Sequence, residues 1–259
     1  MSEPRTLRSL VDTLSERGDR LAVLALHKED VERWSYAELA DHVRRLAGGL
    51  VETGVGRGDH VALLAGNRVE WIVACLAVIG AGAVVVPLDV QIDDEILAHA
   101  LTDSDAGFIF TTSEGADRIG LLDVEDAPEP ILLDAGEEDE RGWRRLLADR
   151  DTELSLASLE PEDQAALFYT SGTTGAAKGV PLTHRNLAFQ LDTLLEADLV
   201  TEDDRVMCID PATLRIVQVL QLGDNVPWVA FGFGSVWVPV GTGSVVVRIT
   251  PAARKGRID

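Results

Sequence analysis

The sequence predicts an α/β protein, in which a layered, mostly parallel sheet flanked by helices is followed by a short all-β tail. Up to about Asp204, apolar runs typical of buried strands alternate with amphipathic helical patterns, which indicates a parallel sheet covered on both faces. Beyond Arg205 the helical periodicity is replaced by short valine-rich runs with alternating polarity. Because 46% of its 259 residues are apolar, the chain can fill the core of one large or two small domains.

The clearest helical pattern runs from Tyr36 to Thr53, with Ser35 as a candidate N-cap and Gly54 as its stop. Its apolar residues recur every three or four positions: Leu39, Val43, Leu46 and Leu50. This spacing places them on one face of a helix. We therefore expect an amphipathic helix that covers the sheet.

The other α/β elements follow from apolar runs separated by turn residues. In chain order the sequence predicts a strand at 61–64, a helix at 68–79, a strand at 83–86, a helix at 93–101, and strands at 108–111, 131–133 and 165–169. The apolar stretch 71–88 approaches the ~20 residues of a membrane helix. However, Gly80, Gly82 and Pro87 interrupt it, so a helix, a glycine turn and a strand are favoured. The acidic segment 136–162, with a short helical stretch at 143–147, is expected to be solvated surface.

Net charge restricts the partners of the chain. The formal charge is −21, and the only lysines are Lys28, Lys178 and Lys255. Such a chain repels phosphate backbones and anionic lipid, which argues against binding of nucleic acid or a membrane surface through bulk electrostatics. Its first 20 residues lack the apolar segment of a secretory signal, and no transmembrane segment is predicted. A cytoplasmic location is expected.

Two cysteines, Cys75 and Cys208, lie far apart in the sequence. Neither has a partner at the CxxC or CxxH spacing of metal sites, so no metal-ligating residue is proposed. Two free thiols in a reducing compartment are favoured over a disulfide.

The tail from Met207 differs from the rest of the chain in charge and in pattern. It holds five basic residues against three acidic ones, and its alternating runs lie at 216–222, 226–231, 235–240 and 244–249. The sequence I-D-P-A-T at 209–213 returns as I-T-P-A-A at 249–253, a shift of 40 residues, which is the period of a β-propeller blade. The segment 231–238, F-G-F-G-S-V-W-V, resembles repeats of bacterial propeller proteins.

The tail therefore resembles one propeller blade, and a C-terminal β-subdomain of the α/β protein is the alternative. A single blade cannot protect its strand edges, so self-association through the exposed β tail is expected.

The strand at 165–169 leads into the sequence Y-T-S-G-T-T-G-A-A-K-G at 169–179. Its glycines let backbone N–H groups turn inward as an anion nest, its hydroxyls add donors, and Lys178 adds a positive charge for phosphate oxygens. The loop is expected to lead into a helix capped by Thr183. The P-loop of common NTPases requires glycine at 177 and Ser or Thr after the lysine, whereas this chain has Ala177 and Gly179. No nucleophile–base pair is present, so no catalytic residue is proposed.

Together with G-V-P-L-T-H-R-N-L at 179–187, this loop resembles the signature of the adenylate-forming superfamily, which contains acyl-CoA synthetases, firefly luciferase and nonribosomal adenylation domains. Ala177 stands where proline is common in that family. The resemblance extends over about residues 9–205. Within the superfamily, the general character of the sequence most resembles that of long-chain fatty acid–CoA ligases. Its further segments are W-S-Y-A-E-L at 34–39, G-V-G-R-G-D at 54–59, N-R-V-E-W at 67–71 and G-A-G-A-V-V-V-P-L at 80–88.

The resemblance implies ATP-dependent activation of a carboxylic acid, in particular a fatty acid, to an acyl-adenylate and then to acyl-CoA. ATP, Mg²⁺ and CoA are the implied cofactors, and a small carboxylic acid is the implied partner. His184 is expected to pack or cap rather than to catalyse. The implied phosphate contacts are Thr170, Ser171, Gly172, Thr173, Thr174, Gly175 and Lys178.

The family's later motifs, for adenine, ribose, metal, the hinge and the catalytic lysine of a mobile C-terminal domain, do not follow Val206. We therefore expect a truncated adenylate-forming domain at 1–206, joined to a propeller-blade-like segment at 207–259. Such a chain is expected to be an inactive fragment or fusion. The alternatives are a non-catalytic binding or scaffold protein and a propeller-type interaction module.

Overall fold

The structure is a computed structural model that describes residues 6–26, 31–150, 158–170, 177–196, 204–210, 215–222, 230–232, 235–239 and 245–249. The chain forms two compact units, the first from residues 1–19 and 36–190 and the second from residues 20–35 and 191–259.

The helices of the described ranges are α1 (Leu7–Asp12), α2 (Tyr36–Glu52), α3 (Val69–Ala81), α4 (Asp94–Ser104), α5 (Ser113–Ile119) and α6 (His184–Glu196), with short 3-10 turns at Leu14–Arg17 and Trp143–Leu146. The strands are β1 (Leu21–Leu26), β2 (Val31–Ser35), β3 (His60–Leu64), β4 (Val84–Leu88), β5 (Phe108–Thr111), β6 (Glu129–Leu132), β7 (Gln164–Thr170), β8 (Lys178–Thr183), β9 (Asp204–Asp210), β10 (Arg215–Leu222), β11 (Ala230–Gly232), β12 (Ser235–Pro239) and β13 (Val245–Ile249).

A six-stranded sheet with the order β6-β5-β3-β4-β7-β8 forms the centre of the first unit. All its neighbours are parallel except β7 and β8, which are antiparallel. Helices α3, α4 and α5 lie between successive parallel strands in the chain, which is the connection that a parallel pair requires. Buried valine, leucine and alanine side chains fill β3 and β4, as expected for strands covered on both faces. The predicted α/β architecture is confirmed.

Helix α2 ends as the sequence predicts. Gly54 adopts a positive φ of 94°, and the N–H of Val55 donates to the carbonyl of Leu50 at 2.9 Å, which is a Schellman-type end. The four apolar side chains of the predicted stripe are all buried. The helical face that was predicted from spacing is therefore the face that packs inward.

The stretch 71–88 forms the predicted helix, turn and strand, but the turn is shorter than expected. Helix α3 continues through Gly80 to Ala81, and only Gly82 has a positive φ, of 88°. A Cβ atom on Gly80 would lie 3.3 Å from the Cβ of Ala47, so Gly80 serves the close contact of α3 with α2. Among the described residues, no helix is both long and apolar enough to cross a membrane.

Most described residues of the acidic segment 136–162 are exposed or half-buried, as predicted, but its 3-10 turn packs inward. Trp143 is fully buried, and the 3-10 turn that begins there packs on α2. Two hydrogen bonds fasten the end of this turn: the N–H of Ala148 donates to the carbonyl of Arg45 at 3.0 Å, and Arg45 Nε donates to the carbonyl of Ala148 at 2.9 Å. A run of charged residues indicates solvated surface, so the burial of the single tryptophan within it was not predicted.

The second unit is a seven-stranded sheet with the order β11-β12-β13-β9-β10-β1-β2. Strands β10, β12 and β13 lie where the alternating runs predict strands, and β11 covers the end of the run at 226–231. The hairpin β1–β2 was not predicted, and β1 pairs antiparallel with β10. The resemblance to a propeller blade, its self-association and the division at residue 206 remain predictions.

Candidate functional site

The phosphate loop predicted at 169–179 connects two strands of the first unit's sheet. Strand β7 runs parallel to β4 and antiparallel to β8, and Thr170 is the register partner of Lys178. The predicted helix after Thr183 is present as α6, but the strand β8 that comes before it was not predicted. The strand was hard to recognise in the sequence because it contains Gly179 and Pro181, and both residue types are rare in strands. Proline is tolerated there because β8 is an edge strand.

Thr170 and Lys178 are the two predicted site residues that the structure brings together. They stand directly opposite each other at the loop end of the hairpin, and both are exposed. Opposed residues of an antiparallel pair project to the same face, so a hydroxyl and an ammonium are presented side by side. Such a pair can bind a phosphate oxygen. The other five predicted contacts lie outside the described residues: Ser171, Gly172, Thr173, Thr174 and Gly175.

Two side chains of α4 contact the ends of this hairpin loop. The hydroxyl of Tyr169 donates to Asp103 Oδ2 at 2.7 Å, and His99 Nε2 lies 2.8 Å from the carbonyl oxygen of Ala177. The rings of His99 and Tyr169 meet edge to face with centroids 6.4 Å apart. Burial and then the bond to Asp103 raise the pKa of Tyr169. Neither α4 residue was predicted to support the loop, because polar residues four apart on an amphipathic helix usually indicate only a solvated face.

Gly179 is explained by packing inside the hairpin. A Cβ atom at this position would lie 3.0 Å from Leu167 Cδ1 and 3.4 Å from Cζ of the Tyr169 ring. A larger residue would therefore push on the tyrosine ring that contacts α4. The glycine after Lys178 keeps the base of the loop compact.

The predicted cap of the next helix is confirmed. The N–H of Asn186 donates to Thr183 Oγ1 at 3.2 Å, and the N–H of Thr183 donates to Asn186 Oδ1 at 3.0 Å, which is a reciprocal capping arrangement. His184 is fully buried, and its Nδ1 accepts the N–H of Leu7 at 3.2 Å. Burial lowers the pKa of His184. This environment agrees with a packing role.

The described residues fit the phosphate part of a nucleotide better than a metal. The exposed side chains of Lys178 and Thr170 at the loop end of the hairpin can bind an anion. In the same described part of the chain, no group of three or more His, Cys, Asp or Glu side chains could hold a metal ion. Protein ligands for Mg²⁺ are therefore not assigned.

Comparison with known proteins places these features in a family. The family model described as AMP-binding enzyme matches residues 10–222. The 3-[(3aS,4S,7aS)-7a-methyl-1,5-dioxo-octahydro-1H-inden-4-yl]propanoyl:CoA ligase of Mycobacterium tuberculosis is 32% identical over 221 residues, which are 82% of this chain and 43% of that protein. The feruloyl-CoA synthase of an Amycolatopsis species is 37% identical over 178 residues, 68% of this chain and 34% of that protein.

Solved structures show the same fold. A long-chain-fatty-acid-CoA ligase from Archaeoglobus fulgidus matches with a TM-score of 0.71 at 24% identity, over 81% of this chain and 43% of that one. The chain thus spans less than half the length of these relatives.

Proposed function

This chain belongs to the AMP-binding enzyme family, and we propose that its β7–β8 hairpin holds the phosphates of ATP while a carboxylic acid is activated. In this reaction the acid carboxylate attacks the α-phosphorus of ATP, an acyl-adenylate forms and pyrophosphate leaves. The thiol of CoA then attacks the acyl carbon and AMP leaves. The CoA ligase and CoA synthase names of the similar proteins support this assignment.

The observation that carries the proposal is the pairing of Thr170 with Lys178 at the loop end of the hairpin. Lys178 neutralises charge on the β- and γ-phosphates, and Thr170 donates its hydroxyl. Ser171, Thr173 and Thr174 add hydroxyl donors, while Gly172 and Gly175 leave the backbone free to approach the phosphates. In such reactions, positioning and charge neutralisation supply most of the catalysis. Mg²⁺ would supply further neutralisation of the phosphate oxygens.

The acid itself is proposed only as a class. The names of the two relatives compared above refer to different acids, one aromatic and one polycyclic. The long-chain fatty acid is suggested instead by the resemblance of segments such as 67–71 to long-chain fatty acid–CoA ligases. We propose a hydrophobic carboxylic acid, with a long-chain fatty acid as the first candidate. A panel of acids that includes feruloyl-type and fatty substrates separates these possibilities.

We further propose that the 259 residues alone do not complete the reaction. The hairpin contacts the phosphates, whereas the family's adenine, ribose and hinge motifs are not found in residues 207–259. Catalysis depends on contacts that strengthen in the transition state, and phosphate contacts alone provide a small part of them. The chain is therefore expected to bind ATP weakly and to turn it over too slowly to detect.

Two measurements test the proposal. ATP binding, followed by titration calorimetry, should be lost in Lys178→Ala and retained in the matched Lys28→Ala. ATP–pyrophosphate exchange with the acid panel should stay at the background of Lys178→Ala. Equal ATP binding by the chain and by Lys178→Ala would contradict the phosphate role and favour a non-catalytic binding protein. Acid-dependent exchange above that background would contradict the expected inactivity.

A further inference from the structure

We infer that His99 and Asp103 of α4 are positioning residues that fasten the two ends of the phosphate hairpin loop to one helix. Asp103 holds the incoming end through Tyr169, and His99 holds the outgoing end through Ala177. The inference deepens the proposed function, because it concerns the support of the same loop. Neither residue is proposed to touch ATP.

The first attachment is a charge-assisted hydrogen bond. The hydroxyl of Tyr169 donates to the Asp103 carboxylate at 2.7 Å, and bonds of this kind are stronger than neutral ones. The tyrosine ring also packs against the apolar cluster between α4 and the sheet. Its position is therefore set both by packing and by the carboxylate, one residue before Thr170.

The second attachment holds the backbone where β8 begins. Ala177 is 5% exposed, and a carbonyl in such a place requires a donor. His99 Nε2 lies 2.8 Å from this oxygen, and because a carbonyl oxygen only accepts, Nε2 carries the proton that it donates. This hydrogen bond holds the backbone of Ala177, the residue immediately before Lys178.

The two attachments act together because their spacing suits one rigid element. Positions 99 and 103 are four apart, and such residues lie on one helical face. The same helix is anchored by Leu97, Ala100 and Leu101, which are at most 2% exposed. Helix α4 thus sets the separation of both loop ends. Holding the ends in place reduces the entropy that the loop loses when it binds phosphate.

Trypsin cleavage after Lys178 of the full chain, identified by mass spectrometry, measures how firmly these ends are held. His99→Leu and Asp103→Ala should each raise this cleavage rate about five-fold, which corresponds to loss of a bond worth about 1 kcal/mol. His99→Gln, whose amide nitrogen can take the place of Nε2, should be cleaved after Lys178 at close to the wild-type rate. His42→Leu on α2 and Asp117→Ala on α5 are matched controls, and trypsin should cleave both at the wild-type rate.

Unchanged cleavage in both His99→Leu and Asp103→Ala would overturn the inference. So would a rise at every tryptic site together with a lower urea midpoint, because that result indicates general destabilisation. Asp103 is exposed, so Asp103→Ala should fold even if His99→Leu does not. Inorganic pyrophosphate is the ligand probe, and its Kd should rise about five-fold in Asp103→Ala, in line with the lost bond. If the wild-type chain does not bind pyrophosphate, the proposed function fails, while cleavage without ligand still decides the positioning role.

Discussion

Gly49 of α2 lies where the 3-10 turn at Trp143–Leu146 crosses the helix, and an added methyl group has no room there. A Cβ atom at this position would lie 1.5 Å from the carbonyl oxygen of Leu146, whereas real Cβ contacts stay above 3.0 Å. The obstacle is backbone, so a rotamer change cannot relieve it. We therefore predict that Gly49→Ala displaces the segment that leads from β6 to β7.

The expected cost follows from the contacts that this displacement disturbs. Strain from overpacking costs about 1–3 kcal/mol. Loss of the two hydrogen bonds between Arg45 and Ala148 costs about 1 kcal/mol each. The better helix propensity of alanine returns about 1 kcal/mol. The net decrease in the free energy of unfolding is therefore about 2–4 kcal/mol.

Urea unfolding followed by far-UV circular dichroism measures this decrease. Gly80→Ala in α3 is the matched control, since its Cβ would meet only side-chain carbon atoms, at 3.3 Å from Ala47 and 3.7 Å from Val11. In Gly80→Ala the gain in helix propensity nearly offsets the cost of the tight contact. The free energy of unfolding should therefore change by no more than about 1 kcal/mol. Equal midpoints for the two variants would refute the reasoning from the Leu146 contact.

Two further predictions concern titratable groups whose pKa is shifted by desolvation. Burial lowers the pKa of His184 below its unfolded value of 6.5, so its contribution to stability is fully present above that pH and is lost as the pH falls through the folded value. Urea midpoints should therefore fall less steeply below pH 6.5 in His184→Asn, and parallel curves would contradict this. Cys75 is half-buried, and desolvation raises the pKa of its thiol to about 12, so in a Cys208→Ser chain a disulfide reagent at about pH 8 should react more slowly with the folded protein than with the unfolded protein. Rapid stoichiometric labelling of that folded chain would show that the thiol is accessible.

Local patterns were sufficient for most of the first unit. The strands β3, β5 and β7 lie within a residue or two of their predicted positions, and α2 ends at the glycine that the sequence indicates. These features depend on apolar periodicity and on glycine at a positive φ, both of which are visible in a short window of sequence.

The errors arose where burial depends on distant partners. The acidic segment was expected to be solvated, yet Trp143 is fully buried against α2. Strand β1 was missed, and its partner β10 lies nearly 200 residues away in the chain. Strand β8 was not predicted, because glycine and proline disfavour strands, but its edge position tolerates both.

By itself the sequence determined the family of this protein and predicted a phosphate-holding loop, because the glycines, hydroxyls and Lys178 that suggest this chemistry lie within residues 170–178. Tertiary structure alone decided that the ends of this loop are strands of a hairpin, and that His99 and Asp103 contact those ends. The physical reason is separation along the chain. These α4 residues lie 78 and 66 positions from their partners, and only the packing of α4 on the sheet brings them together.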